Sequence, residues 1–258
     1  MSRPASPIRA VAAMTAMELR LVLRRGENLF ATIVIPTLVL VLFSSMSILP
    51  TGSARPVDFL LPGAIALGIV ATSLVSLGIT TAYDRSYGVL KRLGGSPLSR
   101  AELVAARLLT VLLVEVVQIA LLVATASLLL GWTAGTSGTS SPVLFVVTVL
   151  LGTLAFAGLG LLLAGTLRAE TVLALANVLF LGFLVVGGII VPLDRLPGPL
   201  AAIAAGLPAA PLAELLRDAL GSAAGAGRAG VDLVTPLGLL AAWAVAAVGA
   251  AAATFRWE

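Results

Sequence analysis

The sequence predicts an all-α membrane protein, a bundle of six transmembrane helices with both ends in the cytoplasm. Three observations carry that expectation. Of the 258 residues 59% are hydrophobic and 11% charged, with a mean hydropathy of +1.12, far from the balance of a soluble domain. The apolar residues fall in blocks of about 20, the length that crosses a hydrocarbon layer, separated by short charged segments. The basic residues also divide unevenly between alternate connections. One side carries Arg3, Arg9, Arg20, Arg24, Arg25, Arg85, Lys91, Arg92, Arg100, Arg107, Arg168 and Arg256, and the other carries Arg55, Arg195, Arg217 and Arg228. The first side is expected to be cytoplasmic.

The N-terminus has no short apolar run followed by a small-residue cleavage site, so the first span is expected to act as its own insertion signal. Projected at about 100° per residue, Ile8, Val11, Thr15, Leu19 and Val22 share one helical face, and Arg9, Arg20, Arg24 and Glu27 the opposite one. This predicts an interfacial amphipathic helix, although Glu18 falls on the apolar side. Leu29 to Leu49 forms the first span, with Pro36 as a tolerated kink. A second span runs from about Phe59 to Ala82 and a third from Leu108 to Gly131. Ser99 and Glu102 have capping-box spacing, so a helix should start there and run into the third span. Ser141 before Pro142 marks the cap of a fourth helix reaching about Leu167.

The fifth span is expected from Thr171 to Val191. Two apolar runs follow, Leu200 to Leu207 and Leu212 to Leu220, each too short to cross and bounded by proline or glycine. They predict re-entrant or interfacial helices. The last span runs from about Val234 to Thr254 and ends at Phe255, Arg256 and Trp257, an interfacial anchor. The chain thus reads as a single transmembrane domain over 1–258. Residues 1–28 form the cytoplasmic amphipathic N-terminus, 29–191 spans one to five, 192–233 an extracellular re-entrant segment, and 234–258 the last span with a cytoplasmic tail.

Cysteine and histidine are both absent, which removes disulfides, thiolate nucleophiles, Ser-His hydrolysis, imidazole proton shuttling and most zinc chemistry. A non-catalytic chain with no metal or cofactor of its own is expected. Scattered arginines and few aromatics argue against nucleic acid. Glu115 lies about two turns into the third span, where an acid is costly and therefore a functional candidate. Its plain structural reading is a pair with Arg107 or a hydrogen bond across a helix interface. Asn177 in the fifth span has the same ambiguity, and Thr72, Ser73, Ser76, Thr80 and Thr81 form a mildly polar strip on the second span.

The segment between the second and third spans is the most informative. Val89, Leu90 and Leu93 lie on one face of a short amphipathic piece beside Lys91 and Arg92, a form that can dock in a groove of another protein. The series Arg85, Gly88, Leu90, Lys91, Arg92, Leu93, Ser96, Pro97, Leu98, Ser99, then Ala106 and Arg107, resembles the loop after the second span in ABC type 2 permeases, which include bacterial drug and antibiotic exporters. Gly187, Gly188, Pro192, Leu196, Pro197, Leu207, Pro208, Pro211, Leu216 and Arg217 resemble that family's segment after the fifth span, which forms extracellular re-entrant helices. The short first external loop, Pro50 to Asp58, departs from relatives that carry an insert there.

The resemblance implies a permease subunit of an ATP-driven exporter in the bacterial inner membrane, both termini cytoplasmic. The loop from Ser86 to Glu102 would be its coupling element. Two cytoplasmic ATP-binding subunits, carrying ATP and Mg, and a second permease subunit, identical or not, would complete the complex within membrane lipid. The substrate would be drug-like, lipid or otherwise amphiphilic, as in efflux and antibiotic resistance. Family relatives line their path largely with the second and fifth spans, which brings in Thr72, Ser76, Asn177, Phe180 and Phe183 beside Glu115. The chain itself has no P-loop, since its only lysine, Lys91, is followed by Arg92. The alternatives are a proton-coupled secondary transporter using Glu115, an intramembrane enzyme drawing on Asp84, Glu102 or Asp218, and a non-transporting scaffold or assembly factor.

Overall fold

A computed structural model describes residues 6–24, 26–46, 55–95, 99–134, 140–221 and 233–254. The chain begins with α1, Pro7–Arg24, opened by a proline whose missing N–H no helix needs in its first turn. α2, Gly26–Met46, follows with Pro36 inside it; its 21 residues reach about 31 Å. The Phe255-Arg256-Trp257 anchor expected at the other terminus lies outside the described residues.

The second span starts at Pro56, where Arg55 makes a two-point contact with Asp58, Nε to Oδ2 at 3.2 Å and an Nη to Oδ1 at 3.3 Å. It runs as α3, Pro56–Ile69, then as a π-helical segment, Val70–Ser76, then as α4, Leu77–Ser86. Together these make one 31-residue span, more buried than the other candidate spans among the described residues. The π segment is a departure from the plain helix expected over Phe59 to Ala82. Its physical reason is a close neighbour. A Cβ at Gly160, on the fourth span, would lie 2.9 Å from the carbonyl oxygens of both Ser73 and Leu74. Only glycine lets the two backbones meet there, and the widened turn is where they meet.

Gly88, in the left-handed region at φ 69°, turns the chain into the short α5, Val89–Gly94. α6, Arg100–Leu129, is a single helix of 30 residues. The expected capping box forms: the Ser99 hydroxyl accepts from the Glu102 N–H at 3.2 Å, and the Glu102 carboxylate accepts from the Ser99 N–H at 2.7 Å. α7, Pro142–Thr166, also starts as expected, with the Ser141 hydroxyl accepting from the Leu144 N–H.

α8, Ala169–Val186, stops five residues short of the expected Val191. Gly187 closes it and Gly188, at φ 69°, turns the chain aside. The backbone at Ile189 then lies directly against Gly63 of the second span, leaving no room for a Cβ. After a 3-10 turn at Leu193–Arg195 come α9, Gly198–Gly206, and α10, Ala209–Ala219, bent 78° from each other. α10 buries Leu212, Leu215 and Leu216 against α3 and α7. α11, Val234–Thr254, matches the expected last span and packs along α7, where Gly158 meets Ala247 and Val248.

Among the described residues, five helices are long and apolar enough to cross a membrane: Pro56–Ser86, Ala101–Leu129, Pro142–Thr166, Ala169–Val186 and Val234–Thr254. α2 has comparable length. The fold is therefore all-α and membrane-type, as the composition requires.

The contact at Gly160 yields a prediction. Gly160→Val should force α7 off the π segment and lower the unfolding midpoint in detergent, consistent with a strain of about 1–3 kcal/mol. Gly182→Ala, where a Cβ meets nothing within 4 Å, should be neutral or stabilising by up to ~1 kcal/mol. A thermal-shift comparison of the two variants reads both outcomes.

Candidate functional site

Several groups of polar and charged residues interrupt the apolar bundle. The first is the connection between the second and third spans, at the arginine-rich end. Leu90, fully buried, seats α5 among Met14 of α1 and Leu103 and Ala106 of α6, with Val11 and Leu93 packed at the edge. Leu90 and Leu93 are three residues apart and share the inward face. The opposite face is open: Tyr87 is 71% and Val89 37% exposed, and Lys91 and Arg92 are exposed beside them. The apolar face expected to dock elsewhere is thus divided, most of it being used to mount α5 on its own chain.

The remaining residues of the series have separate roles. Arg85 reaches inward and donates to the Leu167 carbonyl at the end of α7. Gly88 is the turn and Ser99 the cap. Ser96, Pro97 and Leu98 lie outside the described residues. Tyr83 and Tyr87 stack with ring centroids 5.8 Å apart at the start of the turn.

The second group is centred on Arg107, 3% exposed, in the second turn of α6. One Nη donates to the Thr81 hydroxyl and the other to Asp84 Oδ2, both at 2.5 Å. Its Nε lies 3.4 Å from Glu18 Oε1 on α1. Of the two structural readings of Glu115, a pair with Arg107 or a hydrogen bond across a helix interface, the pair with Arg107 is not formed. The same contact explains Glu18, whose place on the apolar face of α1 is where its partner lies.

The third group surrounds Glu115, 1% exposed. Oε1 accepts from Ser73 at 2.7 Å and Oε2 from Thr153 at 2.6 Å, so the second, third and fourth spans meet at one carboxyl group. Thr153 also lies 2.9 Å from the Val149 carbonyl. One turn along α6, Gln118 contacts Thr72 at 3.2 Å, and Thr72 donates to the Gly68 carbonyl at 3.0 Å. Thr72 and Ser73 are consecutive, yet both serve α6, which the π segment makes possible.

The proposed path residues do not converge within one chain. Thr72 and Glu115 belong to this buried network and Ser76 is half-buried nearby. Asn177 is exposed on the outer face of α8, its amide donating to the Leu173 carbonyl at 2.7 Å. Phe180 is half-buried, and Phe183 packs edge-on against Phe156 at 5.4 Å. Thr153, Asp84 and Glu18 were not singled out by residue type as partners. A threonine in an apolar run reads as ordinary, because its hydroxyl can bond its own helix.

At the far end of the bundle, Arg217 of α10 donates to the Gly188 carbonyl and stacks over Phe59 at 4.0 Å. This fastens the bent helix pair onto the second span.

Both Glu115 oxygens accept, and an amide fits in their place if the Thr153 hydroxyl turns its proton to the Val149 carbonyl, 2.9 Å away, and accepts from the amide N–H instead. Glu115→Gln should leave expression, monodispersity and transport within about twofold of the parent, whereas Glu115→Leu, which strands Ser73 and Thr153, should lower thermal stability by about 1–3 kcal/mol. A proton carrier at this position would instead lose transport completely on Glu115→Gln.

The family model described as ABC-2 type transporter matches residues 9–220. A search of curated proteins returned no match. The matched range takes in most of α1, α2, the four candidate spans between Pro56 and Val186, the mounted α5 and the bent pair α9 and α10. The chain therefore belongs to the ABC-2 type transporter family, as a multi-pass permease component of ABC transporters.

Proposed function

We propose that this chain is the membrane subunit of an ATP-driven exporter, with its arginine-rich end and both termini in the cytoplasm of a bacterial cell and the chain in the inner membrane. The observation that carries the reading is the mounting of α5. A six-residue helix is fixed to the bundle through a fully buried Leu90 while Tyr87, Val89, Lys91 and Arg92 stay outside. Such an element can receive a push from a partner and pass it inward without folding anew.

The partner must bring the nucleotide. The only lysine is Lys91, followed by Arg92, so no phosphate-cradling loop exists in this chain. Two copies of a separate ATP-binding subunit, holding ATP and Mg, would close and open beneath two permease chains, identical or not. The path would run between those chains. Asn177 and the partly open Phe180 and Ser76 fit such a shared wall better than an internal channel, because they are not sealed inside one chain. The moderately polar, largely apolar character of these surfaces suits a drug-like, lipid or other amphiphilic substrate.

Two measurements test this. Co-expressed with the open reading frames adjacent to its own, the tagged chain should capture an ATPase. Lys91→Glu combined with Arg92→Glu should reduce capture at least roughly tenfold, equivalent to ~1.4 kcal/mol, without changing the chain's own elution profile. Equal capture by the variant, or none by the parent, contradicts the reading. Because the chain lacks cysteine, single cysteines at Ser96, Ser137 and Ser222 map topology by thiol labelling of intact cells. Ser96 should be protected from an impermeant reagent and the other two labelled.

A further inference from the structure

The contacts of Arg107 join three elements that are distant in sequence. Thr81 and Asp84 lie near the end of α4, Arg107 on α6 and Glu18 on α1. The guanidinium is 3% exposed, the Asp84 side chain 17% and the Glu18 side chain 12%. A cation this enclosed is stable only with its partners in place, and removing one leaves an uncompensated charge. The two carboxylates come from different elements, so one arginine holds both elements at once.

α1 lies along α6 and touches α2, and Glu18 supplies its charged contact to Arg107. Its buried residues are Met14 and Thr15, and the Thr15 hydroxyl makes a long contact, 3.4 Å, to the Ala106 carbonyl. Met14 touches the same cluster as Leu90. α1 rests chiefly on α6, and α5 reaches it through the buried cluster of Met14, Leu90, Leu103 and Ala106, so a displacement of α5 acts on the α6 end that carries α1. The charge contact between Glu18 and Arg107 adds to that packing a link from α1 to the same guanidinium that holds Asp84 of α4.

We infer that Arg107 is a positioning residue, an ionic latch that makes α1 move as one body with α5 and the adjoining ends of α4 and α6 when the ATPase pushes. This rests on α5 being the ATPase-facing element. The latch gives the amphipathic helix a mechanical role: it carries the stroke along the membrane surface to the entrance of α2, with which it also packs. Glu18 is the release point, because it is the only contact of the three that belongs to α1.

The test uses the cysteine-free full chain with a single cysteine at Thr15, 5% exposed beneath α1, co-purified with its ATPase in nanodiscs. With the latch intact, alkylation by a polar maleimide should be slow. Glu18→Gln should accelerate it about tenfold or more while the elution profile and ATPase capture stay unchanged. Arg107→Lys keeps the cation but has one nitrogen in place of a planar fork, so it should hold Asp84 and still release α1. Glu18→Asp, with the charge kept, should restore at least part of the protection.

In the parent complex ATP should change the alkylation rate of the Thr15 cysteine, and Glu18→Gln should abolish that change while ATP is still hydrolysed. Alkylation that is equally slow in the parent and Glu18→Gln overturns the latch. So does an ATP response that survives Glu18→Gln. A parent chain that never captures an ATPase overturns the functional reading instead, and the ATP-free alkylation rates still decide whether Glu18 holds α1.

Discussion

The second span, from Pro56 to Ser86, is enclosed by the rest of the chain along most of its length, and the other elements take their places from how its polar side chains are satisfied there. In a bilayer core no water is available to complete a hydrogen bond, so each buried hydroxyl and carboxyl needs a partner on a neighbouring helix or in its own backbone. Thr72 and Ser73 find Gln118 and Glu115, Thr81 finds Arg107, and Thr153 of α7 closes the group at Glu115. These contacts set the depth and rotation of α6 and α7 against the central span. Apolar packing alone would do so weakly, since a lipid tail offers a leucine much the same surroundings as another leucine does.

The contacts also divide the molecule into zones. Around Glu115 the polar groups lie wholly inside one chain and act as a fastening. At the arginine-rich end the same chemistry is arranged around Arg107, but one of its partners sits on α1, a largely exposed helix that lies along α6. Further out, α5 turns one face to the bundle and the other away from it. The order from interior to surface runs from enclosed, through partly enclosed, to exposed. That gradient suits a membrane component of an ABC transporter, whose deep helices must hold together while its surface answers a partner.

Much of this was legible in the residues because the signals are local. Ser99 with Glu102, and Ser141 before Pro142, declare helix starts through caps that involve only near neighbours in sequence. The apolar blocks gave α11 its limits, whereas α8 ends at Gly187, before the expected Val191, because the apolar run continues past the point where Gly188 turns the backbone aside. The π segment was not legible. It depends on Gly160 coming against Ser73 and Leu74 from another helix, and nothing around residues 70–76 announces that approach. Glu18 read as a flaw in an amphipathic pattern because its partner is 89 positions away, and Leu90 read as a docking residue because amphipathicity does not say which partner an apolar face will find. The candidate path residues were transferred helix by helix, and the structure separates them accordingly into buried, half-buried and outward-facing positions.

The central claim is that the outer face of α5 meets an ATPase. The most direct measurement places one cysteine at Tyr87 of the cysteine-free chain and attaches a short photoactivatable crosslinker in native membranes containing the co-expressed ATPase. The account predicts a single new species with the combined mass of chain and ATPase, its yield changing when ATP is trapped in the complex. A crosslinker at Tyr87 that reaches only lipid, or that is modified from outside the cell, would contradict it.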